Sequence, residues 1–223
     1  MFIRFQTFLL IFLCMLMAFN TNAKKTTSNE DVVKKGDVVV SMGVGIPSFA
    51  RSYLRYKTSR EEYTITGIGP LYLKGDYMLN NKFSVGLNLF VSKSKIYWYQ
   101  SDYDTILNAY RDFEFGTQAF EFSANLRTNY HFWRRGNIDS YVGIGAGYGY
   151  IRIWLYSLAH TTVFNSDYEF PPPVSMEATW GLRYFPRKNL GFHTEVGLGK
   201  SWILFDKYFL PEAVVQLGVQ IKL

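Results

Sequence analysis

Eight stretches of this chain alternate, residue by residue, between an apolar face and a small or polar one, the period of a β-strand. They run from about Asp37 to Ile46, Leu71 to Leu79, Phe83 to Ser94, Gln118 to Tyr130, Ile138 to Ile151, Val174 to Phe185, Leu190 to Lys200 and Ala213 to Leu223. The fourth is the plainest. Phe120, Phe122, Ala124, Leu126, Thr128 and Tyr130 share one face, and Ala119, Glu121, Ser123, Asn125, Arg127 and Asn129 share the other. In the fifth, Val142, Ile144, Ala146, Tyr148 and Tyr150 stand opposite Tyr141 and the glycines at 143, 145, 147 and 149. Alternation continued through eight strands predicts an antiparallel sheet closed on itself, because closure removes the exposed edges.

The connections decide which face points outward. They run long, short, long, short, long, short, long, at 47–70, 80–82, 95–117, 131–137, 152–173, 186–189 and 201–212. With both chain ends on one side, every long connection falls on the other, which is how bacterial outer-membrane barrels sort their loops. The polar face is mainly Gly, Ser, Thr and Asn, too lightly charged for a surface that meets water. Tyr77, Tyr130 and Tyr184 gather at the short-turn side and Tyr148 and Tyr150 at the long-loop side, as two interfacial belts would. The expected fold is therefore all-β: an eight-stranded antiparallel up-and-down transmembrane β-barrel over residues 37–223, with short periplasmic turns and long extracellular loops. A soluble lipocalin-like carrier, with the apolar face lining a ligand cavity, shares the alternation and is the rival fold.

The N-terminus fits export. Arg4 precedes an unbroken apolar run from Phe8 to Phe19, and Thr21, Asn22 and Ala23 follow with Ala23 as the small residue before Lys24. Twelve apolar residues fall short of the roughly 20 that a spanning helix requires. Residues 1–23 thus read as a cleaved signal peptide and 24–36 as a short periplasmic segment. The single cysteine, Cys14, lies within the run behind the bulky Leu13, which argues against lipid attachment there. Cleavage would leave no thiol and lower the net charge from +6 only by the loss of Arg4.

The inner face would carry Lys74, Asp76, Glu121, Arg127, Glu177, Arg183, Glu195 and Lys222, four acids and four bases. Unpaired charges inside a narrow barrel are costly, so this balance predicts a salt-bridge network filling the lumen. An ion path along the same charges is the competing expectation, although an eight-stranded interior is only wide enough for side chains. His193 and Glu195 form the most enzyme-like pair, but strand parity turns both into the lumen, away from lipid. His131 and His160 stand isolated, so no metal and no cofactor are expected. The glycines of the fifth strand continue the alternation, so their expected role is to clear space for large inner neighbours rather than to cradle phosphate. Lys93 and Lys95, past the third strand, are placed to meet lipopolysaccharide phosphates, with an ordinary solvated rim as the alternative. Aromatic residues crowd the long connections, among them Tyr53, Tyr97, Trp98, Tyr99, Tyr103 and Tyr110, and loops on a rigid scaffold commonly carry binding. No basic run exceeds two residues, which gives no footing for nucleic acid.

Three segments carry a family resemblance: Tyr141-Val-Gly-Ile-Gly-Ala-Gly-Tyr148, His193-Thr-Glu-Val-Gly-Leu-Gly199 and the terminal Val215-Gln-Leu-Gly-Val-Gln-Ile-Lys-Leu223. In these the chain resembles the OmpA/OmpX-type small outer-membrane barrels, especially the β-barrel-domain proteins of Bacteroidetes. It departs from them in ending on Leu223 where such barrels usually end on Phe. The resemblance implies location in a Gram-negative outer membrane, lipid and lipopolysaccharide as surroundings, and the barrel-assembly machinery as a partner in biogenesis. It further implies a non-enzymatic role in envelope integrity, or in adhesion to an extracellular ligand or host surface. A lipid A- or phospholipid-modifying enzyme and a narrow solute channel are the other expectations.

Overall fold

The computed structural model describes residues 32–46, 48, 51–52, 54–55, 62–104, 107–157, 166–169, 174–202, 209–211 and 215–223. The expected signal peptide and the first part of the expected periplasmic segment lie outside them, as do Tyr53 and His160.

The strands are β1 (Val38–Ile46), β2 (Thr64–Met78), β3 (Phe83–Asp104), β4 (Ala109–Arg135), β5 (Ile138–Ser157), β6 (Ser166–Glu169), β7 (Val174–Tyr184), β8 (Leu190–Trp202), β9 (Phe209–Pro211) and β10 (Val215–Lys222). Eight of them form a ring of antiparallel neighbours, β1-β2-β3-β4-β5-β7-β8-β10, closed where Val39 pairs Lys222 and Ile46 pairs Val215. The two short strands β6 and β9 add to the upper reaches of β5 and β8. This is the expected eight-stranded up-and-down barrel.

Local chemistry sets the short turns. The Asn80 side chain accepts from the backbone N–H groups of Lys82 (2.7 Å) and Phe83 (2.9 Å), closing β2 onto β3. Gly136, at φ +58°, takes the left-handed position between β4 and β5 that a side chain would strain. A β-bulge between His131 and Trp133 then shifts parity, so Phe132 and Trp133 both point outward at this end.

The loop boundaries differ from the expectation. The connection expected at 95–117 is mostly paired hairpin, with Lys95↔Gln118 continuing to Asp104↔Ala109. Residues 64–70, 131–135 and 152–157 are likewise strand. The reason is physical: above the membrane neither face must be apolar, so the alternation fades while the backbone ladder continues. β3 and β4 run for 22 and 27 residues, where about 9–11 suffice to cross a bilayer. Their upper parts therefore stand clear of the membrane as a protruding hairpin.

Polarity is inverted relative to a soluble domain. Leu126 and Ile144 are 73% and 70% exposed, while Lys74 and Arg183 are each 1% exposed. Val40, Met42, Val44, Leu73, Leu87, Val142, Met176, Val196 and Leu217 complete the outward apolar belt. Tyr77, Phe83, Tyr130, Phe132, Trp133 and Tyr184 form its aromatic rim at the short-turn end, with Phe83 and Tyr130 packed 5.2 Å apart.

Two small apolar clusters lie at opposite ends of the charged interior. At the short-turn end Val33 is fully buried against Val39, Met78 and Phe185. Its segment is tied down by Arg134 donating to the Val33 carbonyl, Lys222 donating to the Val32 carbonyl (2.6 Å) and the Gly36 N–H donating to Met78. At the other end Leu54, in a short helical stretch between β1 and β2, packs on the inward-facing Ile96 and Ala119, flanked by Tyr63, Ile65 and Ile153.

Candidate functional site

Between these caps the lumen is spanned by ionic side chains from β2, β4, β7 and β8. Arg127 of β4 donates from Nη2 to Glu195 Oε1 at 2.9 Å, and its Nε lies 3.3 Å from Asp76 Oδ1. Lys74 of β2 meets Glu195 from the other side, and Arg183 of β7 bonds Asp76. Tyr141 of β5 donates to Glu195 Oε1 at 2.5 Å, and its ring lies beneath both Arg183 (4.4 Å) and Arg127 (5.7 Å). Each charge is thus compensated by a specific partner across the barrel, the condition under which buried ions are tolerated.

The sequence-derived set divides three ways. Lys74, Asp76, Arg127, Arg183 and Glu195 form one connected lattice. Glu177 is buried above it, where Asn88 Nδ2 donates to its Oε2 at 2.5 Å. Glu121 is buried higher still, opposite Ser92 and Ile151. Lys222 lies at the short-turn rim, 3.6 Å from Asp37, and holds the N-terminal segment instead of joining the lattice. Its place at the last position of β10 explains this, since the strand passes the lattice at Gln216, opposite Glu195, and reaches the rim by residue 222.

Sequence reasoning missed a second group. His131, expected to be isolated, holds Asp139 through Nδ1 (2.8 Å) and Ser84 through Nε2 (3.1 Å), and Asn129 donates to Ser84 Oγ (3.0 Å). Asp139 also lies 3.6 Å from Arg183, which joins this group to the main lattice. The signal was the hairpin itself: its short turn folds β5 back along β4, placing Tyr141 opposite His131 and Asp139 two residues nearer the turn, within reach of the imidazole. Ser84, His131 and Asp139 are all at least 98% buried, behind the Val33 cap. His193 faces the lumen as parity required, with Tyr72 Oη 3.0 Å from its Nε2.

Glycines make this density feasible. A Cβ at Gly181 would lie 2.2 Å from the Tyr141 ring, and one at Gly43 would lie 2.4 Å from the Tyr72 hydroxyl. Of the fifth-strand glycines expected to clear space, Gly143 makes room for Asn129 (2.3 Å from an added Cβ) and Gly145 for Glu177 (2.8 Å).

The protruding hairpin presents a different surface. On its outward face Tyr99 pairs with Glu114, Ser101 with Asp112 and Tyr103 with Tyr110. Tyr99 and Tyr110 are 63% and 78% exposed, and the Tyr103 and Tyr110 rings meet edge to face at 5.4 Å. Lower on the same face Lys93 is exposed, whereas Lys95 is partly buried, bonds Glu114 Oε1 at 2.8 Å and lies 4.7 Å from the Tyr97 ring. Lys93 is therefore the freer of the two to meet an anionic headgroup.

A closed antiparallel ring with ions inside, an apolar belt outside and aromatic rims defines a membrane-spanning β-barrel. Among solved structures the chain is similar to the outer membrane protein OprG of Pseudomonas aeruginosa, at 13% identity and TM-score 0.48, over 85% of this chain and 97% of that one. It is also similar to the N-terminal β-barrel domain of OprF from the same organism, at 12% identity and TM-score 0.38, over 86% and 100%. A third is Ail, the attachment invasion locus protein of Yersinia pestis, at 13% identity and TM-score 0.39, over 84% and 95%. No protein-family model and no curated protein matches the chain by sequence. The inverted polarity of the barrel itself, not these likenesses, assigns it to a membrane.

Proposed function

We propose that this chain is a non-enzymatic outer-membrane barrel that braces the envelope and carries the β3–β4 hairpin as a surface for contact outside the cell. The observation behind this reading is the lumen: cross-linked by Arg127, Glu195, Asp76, Lys74 and Arg183 and covered at its ends by Val33 and Leu54. A braced, capped interior suits a rigid mount better than a conduit. The burial of Ser84, His131 and Asp139 supports the non-enzymatic part, since a nucleophile needs a reachable substrate position. Lipopolysaccharide around Lys93 and the assembly machinery during insertion are the proposed partners. The hairpin, with its exposed Tyr99 and Tyr110, is the proposed site for an extracellular ligand or host surface.

The test compares cells lacking the chain with cells supplied with either the full chain or one whose residues 99–113 are replaced by a short turn. Detergent resistance restored by both, with surface attachment restored only by the full chain, is the expected outcome. A steady single-channel current in planar bilayers that disappears with Arg127→Ala would replace this reading with a channel. A changed lipid A acyl pattern in the deletion would replace it with an enzyme.

A further inference from the structure

The upper lumen holds a second polar layer, which the ionic lattice does not use. Asn88 on β3 is directly opposite Asn125 on β4, Asn125 opposite Gly147 on β5, and Gly147 opposite Ser175 on β7, so these residues form one inward-facing row across four strands. Glu177 is the next inward residue of β7, opposite Gly145. Its side chain reaches across that glycine, where an added Cβ would lie 2.8 Å from Glu177 Oε1, and meets Asn88 on β3. Gly145 of β5 thus lets a carboxylate from β7 reach the Asn88 amide of β3, with Asn125 of β4 in the adjoining row.

The oxygens of this layer are incompletely satisfied. Among the described residues Glu177 Oε1, Asn88 Oδ1, Ser175 Oγ and both polar atoms of the Asn125 amide have no hydrogen-bond partner, although Asn125 and Ser175 are fully buried and Asn88 is 1% exposed. A buried polar atom without a partner keeps its full desolvation penalty, so several gathered in one row point to a ligand that they serve together. Charge points the same way. Leaving aside the imidazoles and Glu121 higher up, the cations Lys74, Arg127 and Arg183 are engaged by Asp76, Glu195 and Asp139, and Glu177 is a fourth carboxylate with no ion pair of its own among the described residues. Among the described residues no three acidic, histidine or cysteine side chains converge as a metal centre, which disfavours a transition metal or a tightly held divalent ion. One carboxylate with neutral amide and hydroxyl oxygens suits a hard ion of single charge.

We propose that Glu177, Asn88, Asn125 and Ser175 form a buried binding site for one alkali cation, Na+ or K+, in the upper lumen. The cation balances the fourth carboxylate and satisfies the orphaned oxygens, and so ties β3, β4 and β7 together above the ionic lattice.

The test uses the full chain refolded in detergent micelles, unfolded by urea in sodium, potassium or choline chloride at equal ionic strength. Sodium or potassium should shift the midpoint upward relative to choline. Near saturation, each tenfold rise in the concentration of the free ion should lower the unfolding constant about tenfold. Glu177→Gln, which keeps the shape and removes the charge, should abolish this dependence. Equal midpoints in the three salts, or a cation dependence that survives Glu177→Gln, would overturn the site. If Glu177→Gln does not fold, crystals of the unaltered chain grown in rubidium chloride decide: an anomalous peak beside Glu177 and Asn125 supports the site, and none there overturns it.

Discussion

Arg127 and Glu195, 68 positions apart in the chain, meet across the lumen as a two-pronged pair, Nη2 to Oε1 at 2.9 Å and Nη1 to Oε2 at 3.4 Å. Asp76 and Lys74 flank the pair, so removing either member strands charges that have no water to turn to. Arg127→Ala should therefore destabilise the folded barrel by about 3–5 kcal/mol. Arg127→Met combined with Glu195→Gln should cost less than the sum of the two single changes, by roughly 1 kcal/mol or more. Urea unfolding in lipid vesicles, followed by tryptophan fluorescence, measures both. Strict additivity would mean that the pair is not coupled.

The outward belt makes a separate prediction. Ile144→Lys places a charge at mid-belt on the exposed face and should cost about 2–4 kcal/mol when the barrel folds into a bilayer. Tyr103→Lys, on the hairpin above the belt, should cost no more than about 1.5 kcal/mol, the worth of its edge-to-face contact with Tyr110. A soluble barrel would reverse the first result, since an exposed lysine there would be harmless. Folding titrations into liposomes compare the two.

Glycine packing can be tested against an internal control. Gly181→Ala sets a methyl against the Tyr141 ring and should cost about 1–3 kcal/mol. Gly75→Ala, in the same sheet but with open space where its Cβ would stand, should be neutral or slightly stabilising. Equal losses at the two positions would show that the lumen is looser than its contacts imply.

The lower cap is open to chemical probing. Met78 is fully buried beneath Val33, and the only native cysteine is Cys14. With Cys14 replaced by Ala, a Met78→Cys reporter should react with a water-soluble maleimide far more slowly than Leu79→Cys, whose position is exposed. Adding Val33→Asp, which puts a charge into the apolar cap, should speed the labelling of Met78→Cys at least tenfold. Fast labelling without that change would show that the segment does not close the barrel.

Much of this protein is local and therefore legible in its sequence. Each strand needs only a period of two to sort its faces, so Leu126 and Ile144 could be placed outside and Arg127 and Glu195 inside from neighbours alone. Asn80 and Gly136 fix their turns through their own side-chain and backbone chemistry. Strand ends were less legible, because β3 and β4 continue beyond the belt by backbone pairing that demands no apolar pattern.

What tertiary structure alone decided is who meets whom inside. Alternation places Lys74, Asp76, Arg127, Arg183 and Glu195 on one face, but their partners depend on the stagger with which the ring closes, set at Val39↔Lys222 and carried around every ladder. One bulge, on β4 between His131 and Trp133, shifts the pairing of β4 with β5, and Asp139 there bonds an apparently solitary histidine and reaches the lattice through Arg183. Lys222 shares the parity of the lumen residues but lies at the rim, because height in a tilted barrel is fixed by register and not by pattern. A single strand carries its own period; the depth and rotation at which it docks belong to the closed ring, whose hydrogen bonds join residues far apart in the chain.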